Sequence, residues 1–165
     1  MGKEIEVKFL NIDKNFIIKK MSSIGAEKIH DEILMRRSAY NLPIRKANAW
    51  ARVRDEGEKV TMSYKCVNSK TVDGVDEVEL VINDFDSGCE FLRSLGLSQK
   101  AYQETKRISY RIKSDNVYFN IDTWPALEPW LEIEAGTEKM LKKYAKKLGF
   151  VWDEGVFGSA DYVYA

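Results

Sequence analysis

The sequence predicts an α+β fold in which eight mostly antiparallel strands close into a β-barrel or tunnel, with about three α-helices flanking it. Three observations carry that expectation. Apolar and polar side chains alternate over many short stretches, the mark of strands with one face on a core. Only three segments have helical period, each followed by glycine. Eight strands with so few helices would leave open edges unless the sheet closed on itself. At 165 residues the chain makes one domain, residues 1–165, long enough to bury a sizeable core.

The first strand is expected over 3–10, in Lys3-Glu4-Ile5-Glu6-Val7-Lys8-Phe9-Leu10. Asp13 then caps a helix whose apolar face is Phe16, Ile17, Met21 and Ile24, ending at Gly25. Strands follow over 28–40, 49–56 and 59–67, the last two joined by the glycine turn Asp55-Glu56-Gly57-Glu58. Asn41 to Asn48, with Pro43 and basic residues nearby, reads as a loop and as the most mobile element. After a strand over 75–82, a second helix starts at about Asp86, runs along Cys89, Leu92 and Leu95, and stops at Gly96. Strands over 98–112 and 116–124 meet near Ser114-Asp115-Asn116, and the last strand spans 130–135. Thr137 opens the third helix, on Met140, Leu141, Tyr144, Ala145 and Leu148, with Gly149 behind it. Trp152, Phe157 and Tyr162 read as core packing, with a tunnel cap or a dimer contact as the other readings. An internal echo links Glu4 to Gly25 with Glu77 to Gly96; it is short enough for coincidence as well as for duplication.

Composition narrows the function classes. Lys and Arg number 26, as do Asp and Glu, so the formal net charge is zero. That balance argues against binding nucleic acid through bulk basic charge. Charged residues still make up 32% of the chain, above the usual quarter. His30 stands alone, which leaves a histidine zinc site or a Ser-His-Asp triad without support. Cys66 and Cys89 read as reduced thiols, and no apolar run has the length of a membrane span. A cytoplasmic protein without a membrane partner is the expectation.

The charges fall at strand spacing. Glu4, Glu6 and Lys8 share one face of the first strand; Arg52 and Arg54 do so on the third, and Thr61, Ser63 and Lys65 on the fourth. Glu77 and Glu79, Arg107, Ser109 and Arg111, Asn120 and Asp122, and Glu132 and Glu134 continue the series. Two orientations compete. In an ordinary small barrel the apolar set fills the interior and these residues meet water. A solvated surface would mix signs and favour lysine, whereas here carboxylates and arginines come in pairs by turns. Arginine suits bidentate recognition of phosphate, and outer helices could cover the apolar faces, so a polar interior is geometrically sensible. Two carboxylates about 5 Å apart repel by roughly 3 kcal/mol at an effective dielectric near 20. Convergent glutamates would therefore recruit a hard cation, Mg2+ or Mn2+, and the cations a polyanion.

In order along the chain, ExExK (Glu4, Glu6, Lys8), paired arginines (Arg52, Arg54), Lys65, a central ExE (Glu77, Glu79), a basic strand (Arg107, Arg111), Asp122 and a closing ExE (Glu132, Glu134) resemble the CYTH superfamily, also called triphosphate tunnel metalloenzymes. The resemblance covers Glu4 to about Leu148 and implies an eight-stranded antiparallel tunnel. It implies metal-site carboxylates at Glu4, Glu6, Asp122, Glu132 and Glu134, catalytic roles for Glu4, Glu6 and Lys8, and triphosphate contacts from Lys8, Arg52, Arg54, Lys65, Arg107 and Arg111. Glu77 and Glu79 take a wall position with an orienting or metal-linked role. One departure is Thr105, where many relatives carry lysine, while Lys106 points to the opposite face. The implied activity is metal-dependent hydrolysis of an inorganic, nucleoside or thiamine triphosphate. Alternatives are a class IV adenylate cyclase making cyclic AMP from ATP, and a non-catalytic module binding polyphosphate or nucleotide. The expected partner is thus a small-molecule triphosphate or nucleotide, with a homodimer as the oligomer to test.

Overall fold

The computed structural model describes residues 2–43, 48–158 and 160, with residues 2–4 followed by backbone alone. The strands are β1 (Gly2–Glu4), β2 (Glu6–Phe9), β3 (Glu27–Asn41), β4 (Ala49–Asp55), β5 (Val60–Val67), β6 (Val75–Ile82), β7 (Ser98–Ile112), β8 (Val117–Thr123) and β9 (Trp130–Glu134). The helices are α1 (Lys14–Ser23), α2 (Phe85–Ser94) and α3 (Glu138–Leu148). All strand pairings are antiparallel, in the order β1-β6-β5-β4-β3-β7-β8-β9-β2.

The strand predicted over 3–10 is broken at Ile5 into β1 and β2. Its first half pairs with β6 (Glu4 opposite Val75) and its second with β9 (Glu6 opposite Glu134). At the break the Ile5 carbonyl accepts from Ala135 N–H at 3.1 Å, and Glu6 N–H donates to the Val72 carbonyl at 3.2 Å. One N-terminal run therefore ties both ends of the curled sheet together, and counting it once gives the eight strands the sequence predicts.

The helices start where short polar side chains can take the first free amides. The Asp13 carboxylate accepts from Phe16 N–H at 2.9 Å, and the Thr137 hydroxyl oxygen from Met140 N–H at 3.3 Å. For α2 the cap is Asp84, which accepts from Ser87 N–H at 2.9 Å, rather than Asp86. Gly149 closes α3 with φ of +91°, a conformation costly for residues with a Cβ. The loop predicted over Asn41 to Asn48 lies partly, at residues 44–47, outside the described residues, as does Tyr162. Trp152 and Phe157 pack on one another, ring centres 5.8 Å apart, against the larger core.

Both hydrophobic cores lie between the sheet and its helices. Val7, Phe119, Ile133 and their neighbours face Leu141, Tyr144 and Leu148 of α3 and Ile17 and Met21 of α1. A smaller core sets Ala51 and Val53 of β4 against Phe85, Cys89 and Leu92 of α2. Each large apolar side chain removed from water contributes about 1.5–3 kcal/mol, so the apolar faces turn to the helices and the charged faces turn inward. In the smaller core α2 approaches the sheet at Gly88, where a Cβ would stand 2.4 Å from Ile82 Cδ1 and 3.2 Å from Val53 Cγ1. Gly88→Val should cost about 1–3 kcal/mol by overpacking, measured by urea denaturation. Both cysteines are buried and free, and among the described residues no helix is long and apolar enough to cross a membrane.

Candidate active site

The inward faces enclose a cavity of about 120 Å³. Its described lining carries seven cationic side chains, Lys8, Arg37, Arg52, Arg54, Lys65, Lys100 and Arg107, against four carboxylates, Glu6, Asp122, Glu132 and Glu134. Spacing by two residues on β2, β4 and β9 brings these groups to one face, and curling of the sheet makes the faces converge.

β2 and β9 form the acidic side. Their register sets Glu6 opposite Glu134 and Lys8 opposite Glu132. Lys8 is only 3% exposed; its ammonium contacts the Glu6 carboxylate, stands 3.3 Å from Glu132 Oε2 and donates to the Gly158 carbonyl at 2.9 Å. Glu132 Oε1 accepts from Arg107 Nη2 and from Asn120 Nδ2, each at 3.3 Å. Burial pushes the Glu132 pKa up, but Lys8, Arg107 and Lys65, helped by the Asn120 hydrogen bond, outweigh it and hold the carboxyl well below its usual range. Arg107 clasps Asp122 with Nε to Oδ1 at 2.7 Å and Nη2 to Oδ2 at 2.6 Å. Burial alone would lower the Arg107 pKa; Asp122 and Glu132 raise it further than that and keep the guanidinium charged.

β4 and β5 form the basic side. Arg52 lies 3.6 Å from Glu77 Oε1, and Lys65 lies 3.3 Å from the same oxygen. Arg54 reaches Glu56 Oε1 at 2.5 Å and Glu79 Oε2 at 3.9 Å. Burial raises the Glu56 pKa, but Arg54, Lys59 and Arg107 bring it below the ordinary value. Glu77 and Glu79, expected at the tunnel wall and among the substrate-binding residues, do not belong to the cavity lining; they stand behind the cations as counter-charges.

Not every predicted residue comes to the cavity. Arg111 lies at the end of β7, 38% exposed in its side chain and 4.0 Å from Glu27, outside the lining. Alternation fixes its face but not its depth. The β1 backbone brings Glu4 opposite Val75, and its side chain lies outside the described residues. Thr105 is buried, and Lys106 points away to within 3.7 Å of Glu32, as the alternation predicts. Sequence reasoning missed Arg37, whose guanidinium lies 3.8 Å over the Trp124 ring and donates from Nε to Gln103 at 2.8 Å. It missed Lys100 and Glu56 as well. A signal for Arg37 existed in the internal echo, where Arg36-Arg37 and Tyr40 parallel Lys106-Arg107 and Tyr110.

Glu6, Glu132 and Glu134 supply the hard oxygen donors that a divalent cation prefers, and like charges directly opposed, as Glu6 and Glu134 are, gain from one. Among the described residues no three such groups already surround one point; the Lys8 ammonium stands between Glu6 and Glu132. The donor chemistry thus fits a hard ion.

Several solved structures share this fold. A protein of Pyrococcus horikoshii, PH1012, is 23% identical with a TM-score of 0.78, over 92% of this chain and 93% of that one. A candidate adenylate cyclase from Vibrio parahaemolyticus is 14% identical, TM-score 0.79, over 99% and 98%. HpAC1 from Hippeastrum, a candidate adenylyl cyclase described as having a dominant triphosphatase activity, is 15% identical, TM-score 0.66, over 98% and 94%. No curated protein matches the sequence. The CYTH domain family model matches residues 2–154, nearly the whole chain, and the protein belongs to the CYTH family.

Proposed function

We propose that the cavity binds a linear triphosphate and hydrolyses its terminal anhydride with the help of Mg2+ or Mn2+. One observation carries this reading: a concave site lined by seven cations and four carboxylates has an excess of positive charge for a polyanion and oxygen donors for a metal. The activity described for HpAC1 supports it.

Lys8, Arg52, Arg54, Lys65 and Arg107 bind the non-bridging oxygens and offset charge that builds on the leaving diphosphate. Glu77 and Glu79 hold Arg52, Arg54 and Lys65 in place. Glu6, Glu132 and Glu134, with Glu4 and Asp122, make up the metal-site carboxylates. A divalent ion held by these carboxylates would supply Lewis acidity toward the phosphoryl oxygens and toward an attacking water. Attack of water on the terminal phosphorus, in line with the bridging oxygen, forms one P–O bond and breaks another, releasing orthophosphate and the diphosphate. A carboxylate of the Glu6–Glu134 pair takes the water's proton. In the cyclase reading the ribose hydroxyl of ATP replaces water in the same cavity.

Incubating the protein with tripolyphosphate or ATP, with Mg2+ or Mn2+, and identifying the products tests this. Orthophosphate is expected. Cyclic AMP with pyrophosphate would assign a cyclase, and binding without turnover would leave a binding module.

A further inference from the structure

Behind the charged lining runs a neutral hydrogen-bonded chain that ends on Glu132. Ser109 on β7 and Asn120 on β8 face each other across the sheet, each 7% exposed. The Ser109 hydroxyl donates to Asn120 Oδ1 at 2.7 Å, and Asn120 Nδ2 donates to Glu132 Oε1 at 3.3 Å. β8 and β9 set Asn120 opposite Glu132, so the chain runs straight across three neighbouring strands.

We propose that Asn120, anchored by Ser109, is a positioning residue that sets how Glu132 presents its carboxylate to a divalent cation. The inference rests on the reading of Glu132 as a metal-site carboxylate. A carboxylate has two oxygens of equal basicity and can rotate about its last bond, so a buried one needs a donor to choose between them. Here Oε1 is committed to Asn120 and Arg107, while Oε2 faces Lys8 at 3.3 Å. The amide could only do this in one orientation. Turned over, its oxygen would confront the acceptor-only Glu132 carboxylate, so Glu132 selects the orientation, and the Ser109 hydroxyl, 2.7 Å away on the other side, satisfies the buried Oδ1 and anchors the side chain. Arg107 alone would not suffice, because its nearer bonds, at 2.7 and 2.6 Å, go to Asp122. Outer partners that hold a metal-binding side chain are typically worth about 10–100-fold in affinity or activity.

The test uses the whole protein, with Mn2+ alone followed by calorimetry and Mn2+-dependent turnover of tripolyphosphate followed by orthophosphate release. Asn120→Leu, close in size but with no donor, should raise the Mn2+ Kd by about 10-fold or more. Its kcat should recover at saturating Mn2+, since the defect is in placing the metal. Ser109→Ala should show a smaller shift in the same direction, and Ser109→Thr, which keeps the hydroxyl, should restore wild-type Kd. Equal Kd values in wild type, Asn120→Leu and Ser109→Ala would overturn the proposal while leaving the proposed function standing. A kcat lowered at every Mn2+ concentration with Kd unchanged would overturn it as well, by showing a merely structural role. Should Asn120→Leu fail to fold, the Ser109→Ala and Ser109→Thr pair decides alone. If wild type binds no Mn2+, the proposed function and this inference fall together.

Discussion

Replacing Arg107 by alanine is expected to cost about 3–5 kcal/mol of stability, the usual result of stripping the partner from a buried charge. Asp122, 1% exposed, loses both of its close hydrogen bonds in that variant, and Glu132 loses the guanidinium 3.3 Å away. Two carboxylates are left in the wall with Asp122 stripped of both guanidinium bonds and Glu132 leaning on Lys8. The double variant Arg107→Ala/Asp122→Asn should recover more than half of the loss, because the neutral amide leaves no bare charge. Urea denaturation of the single and double variants measures this, and a single-variant loss below about 1 kcal/mol, the scale of a surface pair, would refute it. The pH dependence has a definite sign. The Glu132 pKa is depressed in the folded state, so the stability it contributes is full above its unfolded value near 4.3 and is lost as pH falls through the lower folded value. Without Arg107 the depression shrinks, so the acid-side loss still begins near the unfolded value but ends at higher pH than in wild type and is smaller in total.

Glu134→Gln is expected to lower metal-dependent turnover of tripolyphosphate by at least about 100-fold, about 2.7 kcal/mol in the barrier, while stability changes by about 0.5 kcal/mol or less. The reason for the split lies in its surroundings. Glu134 is exposed to the cavity rather than packed, and it opposes Glu6 across β2 and β9. The amide keeps its shape and removes one of the two facing charges, so a divalent cation loses a hard oxygen donor and the fold loses little. Orthophosphate release and thermal melting, run side by side on both proteins, give the answer. Turnover equal to wild type would remove Glu134 from the metal-site carboxylates.

Much of this site was legible in the sequence because a strand turns spacing into direction. Glu6 with Lys8, Arg52 with Arg54 and Glu132 with Glu134 each share a face by alternation alone, and register then brings the faces together. Depth along the tunnel was not legible. Arg111 has the same parity as Arg107 yet sits four residues nearer the strand end, where the wall opens and Glu27 takes it. Arg37 was hidden for a different reason. The β3–β7 pairing shifts register between His30 and Ile33 and again between Ala39 and Tyr40, so no long alternation marks the inward face of β3. Helix ends were legible to within two residues: Asp13 and Thr137 cap as expected, and Asp84 outcompetes Asp86 because its side chain reaches the Ser87 amide. The break at Ile5 had no local signal, since it is produced by partners at Val75 and Ala135, far along the chain.

That break has a kinetic consequence. β1 can pair with β6 once Val75 is made, but β2, directly after it, waits for β9: Phe9 pairs with Leu131. Contacts of such long loop length make folding slow, and until β9 is synthesised β2, with Val7 and Phe9 on its apolar face, lacks its strand partner and is open to chaperones or aggregation.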